Sequence, residues 1–173
     1  MEYVTHGLIR RMTGNDLEQV LSWRNHPDVR RFMYTQHEIT LAEHIRWFDR
    51  ASVDTARHLL IFEIDGEAQG FINLHEIAPG GIADWGFYAA PNAHKGTGRQ
   101  LGNKLLQYAF GELGFHKICG QALAFNERSI QFHLRLGFEQ EGILRDQHFD
   151  GQQYHSVVCF GLLATDWQTT TER

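Results

Sequence analysis

The chain has 173 residues and a formal charge of −5, with 16 Lys and Arg against 21 Asp and Glu. That length is one domain's worth, able to bury a core without disulfides or metal, and the acidic balance argues against a dedicated nucleic-acid binder. Cys119 and Cys159 sit inside apolar strand-like runs, no run approaches a membrane span, and residues 1–6 lack the basic and apolar regions of a secretion signal, so a soluble, cytoplasmic protein with no membrane or nucleic-acid partner is expected.

Residues 3–12 read as a first strand. Thr13-Gly14-Asn15-Asp16 then caps a helix carried by Leu17, Val20, Leu21 and Trp23, which Pro27 closes. A second helix starts at Thr40, with Glu43 in the capping-box position, and runs through Leu41, His44, Ile45, Trp47 and Phe48. Between them lies an unusual segment, Arg24-Asn25-His26-Pro27 to Met33-Tyr34. Strands follow at 58–64 and 69–77, joined by the hairpin signal Asp65-Gly66, and a third at 82–90 after the turn Pro79-Gly80-Gly81.

Next comes Asn92-Ala93-His94-Lys95-Gly96-Thr97-Gly98-Arg99-Gln100-Leu101-Gly102, between an apolar run and a helical one. A glycine-rich strand-to-helix turn offers bare N–H groups and the positive end of the helix dipole to a phosphate. The spacing is neither a dinucleotide fingerprint nor a Walker A loop. Leu101, Leu105, Leu106, Ala109 and Leu113 continue at helical spacing, and 117–125 is a strand. Asn126 reads as the N-cap of another helix, with Ser129 one turn in, Ile130, Leu134 and Leu136 as its apolar face and Gly137 at its C′ position. Two last strands, 138–145 and 154–163, flank Asp150-Gly151, and the threonine-rich tail after Asp166 is expected to be loose. No C-x-x-C or H-E-x-x-H spacing is present, so no metal site is expected.

A Gly-rich loop opening one helix and an N-x-x-S-x-x-F-x-x-x-L-G-F helix after the next strand together resemble the GNAT superfamily of acetyl-CoA-dependent N-acetyltransferases. The resemblance covers nearly the whole chain. It implies an α/β fold, a central and mostly antiparallel mixed sheet with a splayed strand pair and flanking helices, in one domain over residues 1–166 with a polar tail at 167–173. It implies acetyl-CoA as cosubstrate, and a monomer or homodimer. Carried over by position, Phe87, Tyr88 and Ala89 meet the pantetheine arm, and the N–H groups of His94, Lys95, Gly96, Thr97, Gly98 and Arg99 grip the pyrophosphate. Asn126 and Ser129 hold the arm or merely cap their helix. Ala93 departs from the Arg or Gln of the family pattern.

Acetyl transfer needs a neutral amine, stabilisation of the thioester oxygen and a proton for the departing sulfur. His133 occupies the position where relatives often carry a tyrosine acid, and imidazole can donate when protonated. For the base, Asn73, His75, Asp84 and Glu76 are candidates, with His75 preferred because alternation with Leu74 turns it away from the core. The R-N-H-P, M-Y and H-x-x-W/F combination looks like the sugar-nucleotide N-acetyltransferases of pseudaminic acid biosynthesis. That likeness implies a UDP-amino-sugar partner, met by Arg24, Met33, Tyr34, His44, Trp47, Asn73 and Tyr88. Protein N-terminal, ribosomal-protein or aminoglycoside acetyltransferases share the same loop and helix motifs, and a non-catalytic acetyl-CoA-binding module would tolerate both Ala93 and the missing tyrosine.

Overall fold

A computed structural model describes the backbone of residues 7–171 and the side chains of 7–167. The start of the expected first strand and the last two residues of the expected tail lie outside the described residues. One seven-stranded sheet runs in the order β1 (Gly7–Arg11), β2 (Arg57–Ile64), β3 (Glu67–Ala78), β4 (Ile82–Ala89), β5 (Lys117–Leu123), β7 (Tyr154–Leu163), β6 (Glu139–Phe149). Every neighbouring pair is antiparallel except β4 and β5. A parallel pair needs a crossover. Helix α4 (Thr97–Gln107), extended by a π turn at Tyr108–Glu112, supplies it. The other helices are α1 (Leu17–Asn25), α2 (Pro27–Arg30), α3 (Leu41–Ala51), α5 (Glu127–Arg135) and α6 (Ala164–Thr171).

Strand alternation divides the core between two faces. Leu60, Phe62, Leu74 and Trp85 pack with Leu101 and Leu105 of α4, whereas Leu59, Ile61 and Phe71 pack with Val20 and Trp23 of α1 and Ala51 of α3. Asn73, His75, Asp84 and Tyr88 therefore share the α1 and α3 side. The β2–β3 hairpin turns on Asp65 (φ 51°) and Gly66 (φ 83°), two left-handed residues, as the Asp-Gly signal predicts.

Two local outcomes differ from the expectations. Pro27 both ends α1 and opens α2 at its first position, where a missing N–H costs nothing, and His26 caps α2 by accepting from the Asp28 N–H at 3.2 Å. Asn25 clasps the far end of this loop by bonding both the N–H and the C=O of Ile39 at 2.8 Å. The tail is also helical through Thr171 instead of loose, because Trp167 packs 5.5 Å from the ring of Phe110. No helix among the described residues is long and apolar enough to cross a membrane.

Candidate active site

The strands β4 and β5 pair only over Ile82–Asp84 and Lys117–Cys119. Beyond that point the β4 edge from Trp85 to Ala89 has no strand partner on the β5 side, and a V-shaped gap opens with Gly86 exposed in it. Phe87 turns its ring to the α5 side, against Phe132 at 5.2 Å, while Tyr88 packs on Phe71 on the other face at 5.3 Å. Backbone groups on this free edge are what a pantetheine arm and a thioester carbonyl can bond.

Helix α4 begins beside the gap. Its N-cap is Gly96 at φ 91°, a left-handed conformation that glycine adopts without strain, and no side chain caps the helix. The first N–H groups are thus left to an incoming anion. His94, Lys95 and Arg99 are exposed around them, and Thr97 is buried. A Cβ on Gly98 would meet nothing within 4 Å, whereas one on Gly102 would come within 2.8 Å of Leu136 and Phe132. Gly98 therefore leaves room for a ligand, and Gly102 lets α4 pack on α5. Ala93 packs with the second core cluster and sends no group toward the loop. Asn126 caps α5 by accepting from the Ser129 N–H at 3.2 Å, which leaves its amide N–H groups free.

On the opposite face, His75 stands across from Asp84 and Asn73 across from Gly86. Burial raises the Asp84 carboxyl above its ordinary range, with nearby His75 opposing the shift. The Asn73 Oδ1 is buried without a partner. Arg24 donates to the Thr35 carbonyl at 3.0 Å, and its Nη1 is also buried and unpartnered. Its guanidinium pKa is lowered by burial and by nearby Arg30, with Tyr88 opposing the shift. Tyr34 reaches across the gap to donate to Gln121 Oε1 on β5 at 3.1 Å, and burial raises its hydroxyl pKa. Met33 is half-buried in the same loop. The sequence reading did not single out Gln121 and ranked Asp84 behind His75; alternation along β5 and β4 is the signal that finds them.

Three expected site residues pack with the core, His133 and His44 buried and Trp47 half-buried. His133 is 3% exposed. The Trp85 indole donates to its Nε2 at 3.0 Å, and its Nδ1 donates to the Ser129 carbonyl at 2.8 Å. An indole only donates and a carbonyl only accepts, so the ring is the neutral Nδ1–H tautomer with no proton to give toward the gap. It stacks on Phe160 at 4.7 Å, and a Cβ on Gly120 would come 2.5 Å from its Nε2. His133 thus fills the crotch where β4 and β5 part, joining Trp85 to the start of α5. This geometry favours a structural role for His133 over the general-acid role, and the stability and rate of a variant decide between them. His44, 5% exposed, stacks on Trp47 at 5.1 Å, and Trp47 meets Phe71 edge-on at 5.8 Å. Both fasten α3 to the sheet, and the buried His44 Nε2 has no partner among the described residues.

Burial lowers the pKa of His133 and of His44. The unfolded chain then takes up protons first, below about pH 6.5, so stability is full above that pH and falls as acid approaches the lowered folded values. His133→Gln should cost about 1–3 kcal/mol in urea unfolding at pH 7.5, with a smaller cost at pH 5.5, and keep kcat within about threefold. A loss of kcat of about 10²-fold without a loss of stability would restore the acid role.

A sheet opened between two parallel strands, an uncapped helix end beside the opening and titratable groups beyond it are the parts of an acyl-CoA-dependent transferase. The sequence profile of the acetyltransferase (GNAT) domain family matches residues 7–139. Acetyltransferase PseH of Campylobacter jejuni (serotype O:23/36, strain 81-176) is 29% identical over 123 residues, 70% of this chain and 76% of its own. The spermidine N(1)-acetyltransferase of Escherichia coli K12 is 25% identical over 152 residues, 87% of this chain and 82% of its own. The crystal structure of spermidine N-acetyltransferase from Vibrio cholerae in complex with CoA and spermine matches with a TM-score of 0.86 at 22% identity, covering 94% of this chain and 98% of that one. The chain belongs to the GNAT acetyltransferase family, and it is an N-acetyltransferase that uses acetyl-CoA.

Proposed function

We propose that the acceptor is the 4-amino group of a UDP-linked amino-deoxy sugar, UDP-4-amino-4,6-dideoxy-N-acetyl-β-L-altrosamine, acetylated in pseudaminic acid biosynthesis for flagellin glycosylation. The observation that carries this reading is Arg24, a half-buried guanidinium with a buried, unpartnered Nη1 on the acceptor side, next to Arg30. Such a charge attracts a diphosphate and repels a polycation. The likeness to PseH at 29% identity supports the same choice.

Bound acetyl-CoA supplies the acetyl group through its thioester. The N–H groups at the start of α4, with Lys95 and Arg99, hold its pyrophosphate, and the free β4 edge polarises the carbonyl oxygen. The acceptor nitrogen enters over Asn73 and Gly86. Asp84 sits at the last paired position before the gap and takes the nitrogen's proton, with His75 beside it across the β3–β4 pair; the N–C bond forms as the C–S bond breaks, and CoA leaves as a thiolate that takes its proton from solvent. A carboxylate with a raised pKa is the better base near neutral pH. Tyr34, Met33 and Tyr88 line the acceptor side around Arg24.

A polyamine acceptor is the second reading, favoured by the half-buried Asp84 carboxylate on this face, although the next carboxylate there, Glu141, is paired with Lys117 at 2.7 Å. Arg24→Ala separates the two. It should lower kcat/KM for the UDP-sugar by about 10–100-fold, the value of a charge-assisted hydrogen bond, with KM for acetyl-CoA unchanged. A gain in spermidine turnover without that loss would favour the polyamine.

A further inference from the structure

A cleft of about 440 Å³ lies between the 31–36 loop and the β6–β7 hairpin, lined by Arg31, Leu123, Phe125, His148, Asp150 and His155. None of these residues has a part in the chemistry above. Phe125 is 49% exposed, its ring fixed by Phe32 at 6.1 Å and by the edge of His155 at 4.9 Å. The Arg31 guanidinium lies 4.6 Å over the Phe32 ring and pairs with no carboxylate among the described residues. His148 rests 4.9 Å from Tyr34, and its Nε2 is buried without a partner. Asp150 is already engaged: it accepts from His155 at 2.6 Å and from the N–H groups of Gln152 and Gln153. The cleft therefore combines a flat apolar ring with a cation that no carboxylate neutralises and a ring nitrogen in need of a partner.

We propose that this cleft binds the nucleoside diphosphate end of the acceptor, with the base against Phe125, the nucleoside-side phosphate toward Arg31 and His148 and the sugar-side phosphate toward Arg24. The proposal rests on the sugar-nucleotide reading of the same site. Leu123 lies on the same strand face as Cys119 and Gln121, and four strand residues from Cys119 span ~13 Å. A hexose joined to a diphosphate covers a comparable distance, so an amine at Asp84 places the nucleoside in the cleft. Acetyl-CoA also carries a nucleoside diphosphate, but α4, whose N-terminus would hold it, packs on the opposite face of the sheet.

The test is calorimetric titration of UDP into the enzyme, with and without saturating CoA. UDP should bind in both cases, and Phe125→Ala and Arg31→Ala should each weaken it about tenfold, the scale of a lost base stack or phosphate contact, with CoA affinity unchanged as the folding control. No UDP binding, displacement of UDP by CoA, or equal UDP affinity in all three proteins would overturn the proposal. If UDP behaves as expected but the UDP-amino-sugar is not acetylated, the cleft stands and the acceptor reading falls. If the wild type and both variants acetylate that sugar equally well, the cleft falls and the acceptor reading stands.

Discussion

Asp84→Asn is expected to lower kcat at neutral pH by about 10²–10³-fold with little change in KM for acetyl-CoA. The carboxyl stands on β4 where β4 and β5 last pair, facing the side from which an amine arrives. Its raised pKa gives the pH profile a sign. A base works deprotonated, so the wild-type rate falls as acid passes through that raised value, and the Asn variant lacks this limb. The substitution keeps the shape of the side chain, so thermal unfolding should change little. His75→Gln is the companion measurement. If it abolishes turnover while Asp84→Asn does not, the base is the histidine that the sequence alone favours.

Gly98→Asp should raise KM for acetyl-CoA by about 10–100-fold, because it places a carboxylate beside the pyrophosphate at an uncapped helix end. The structure makes this a clean probe. A Cβ at Gly98 meets nothing within 4 Å, and an acidic residue in the first turn of a helix is favourable, so melting temperature should hold or rise slightly. Gly98→Ala should be mild. Gly102→Ala, by contrast, presses on Leu136 and Phe132 and should act through stability. Unchanged acetyl-CoA affinity in the Asp variant would remove the loop from the cofactor site.

The parts of the fold that follow local rules were legible in the sequence. Asp65-Gly66 turned the expected hairpin, and Thr40 and Glu43 formed the expected capping box. The Gly-rich loop opened α4 as expected, because positive φ and a missing cap are properties of a few adjacent residues. The alternation of β3 and β4 also separated Asn73, His75 and Asp84 from the core. What local rules do not reveal is tertiary. His133 shares a spacing of three with Ile130 and Leu136, which places it on the buried stripe of α5, yet its partner Trp85 is 48 residues away and no local pattern announces the bond. His44 and Trp47 lie three apart on the face of α3 that meets Phe71, where a ring suits core and ligand equally well. Phe125, Arg31, His148 and His155 meet only because three distant segments converge, and the sequence carried no signal for them. The helical tail was missed because its anchor is a single tryptophan on Phe110.

The central claim is tested most directly by kcat/KM, read as CoA thiol release, for the UDP-linked 4-amino-sugar beside the same amino-sugar without UDP, spermidine and an N-terminal peptide. The UDP-sugar should exceed each of the others by about 10²-fold or more, because it alone would engage both Arg24 and the reactive gap. Equal or better use of spermidine, the peptide or the free amino-sugar would contradict it.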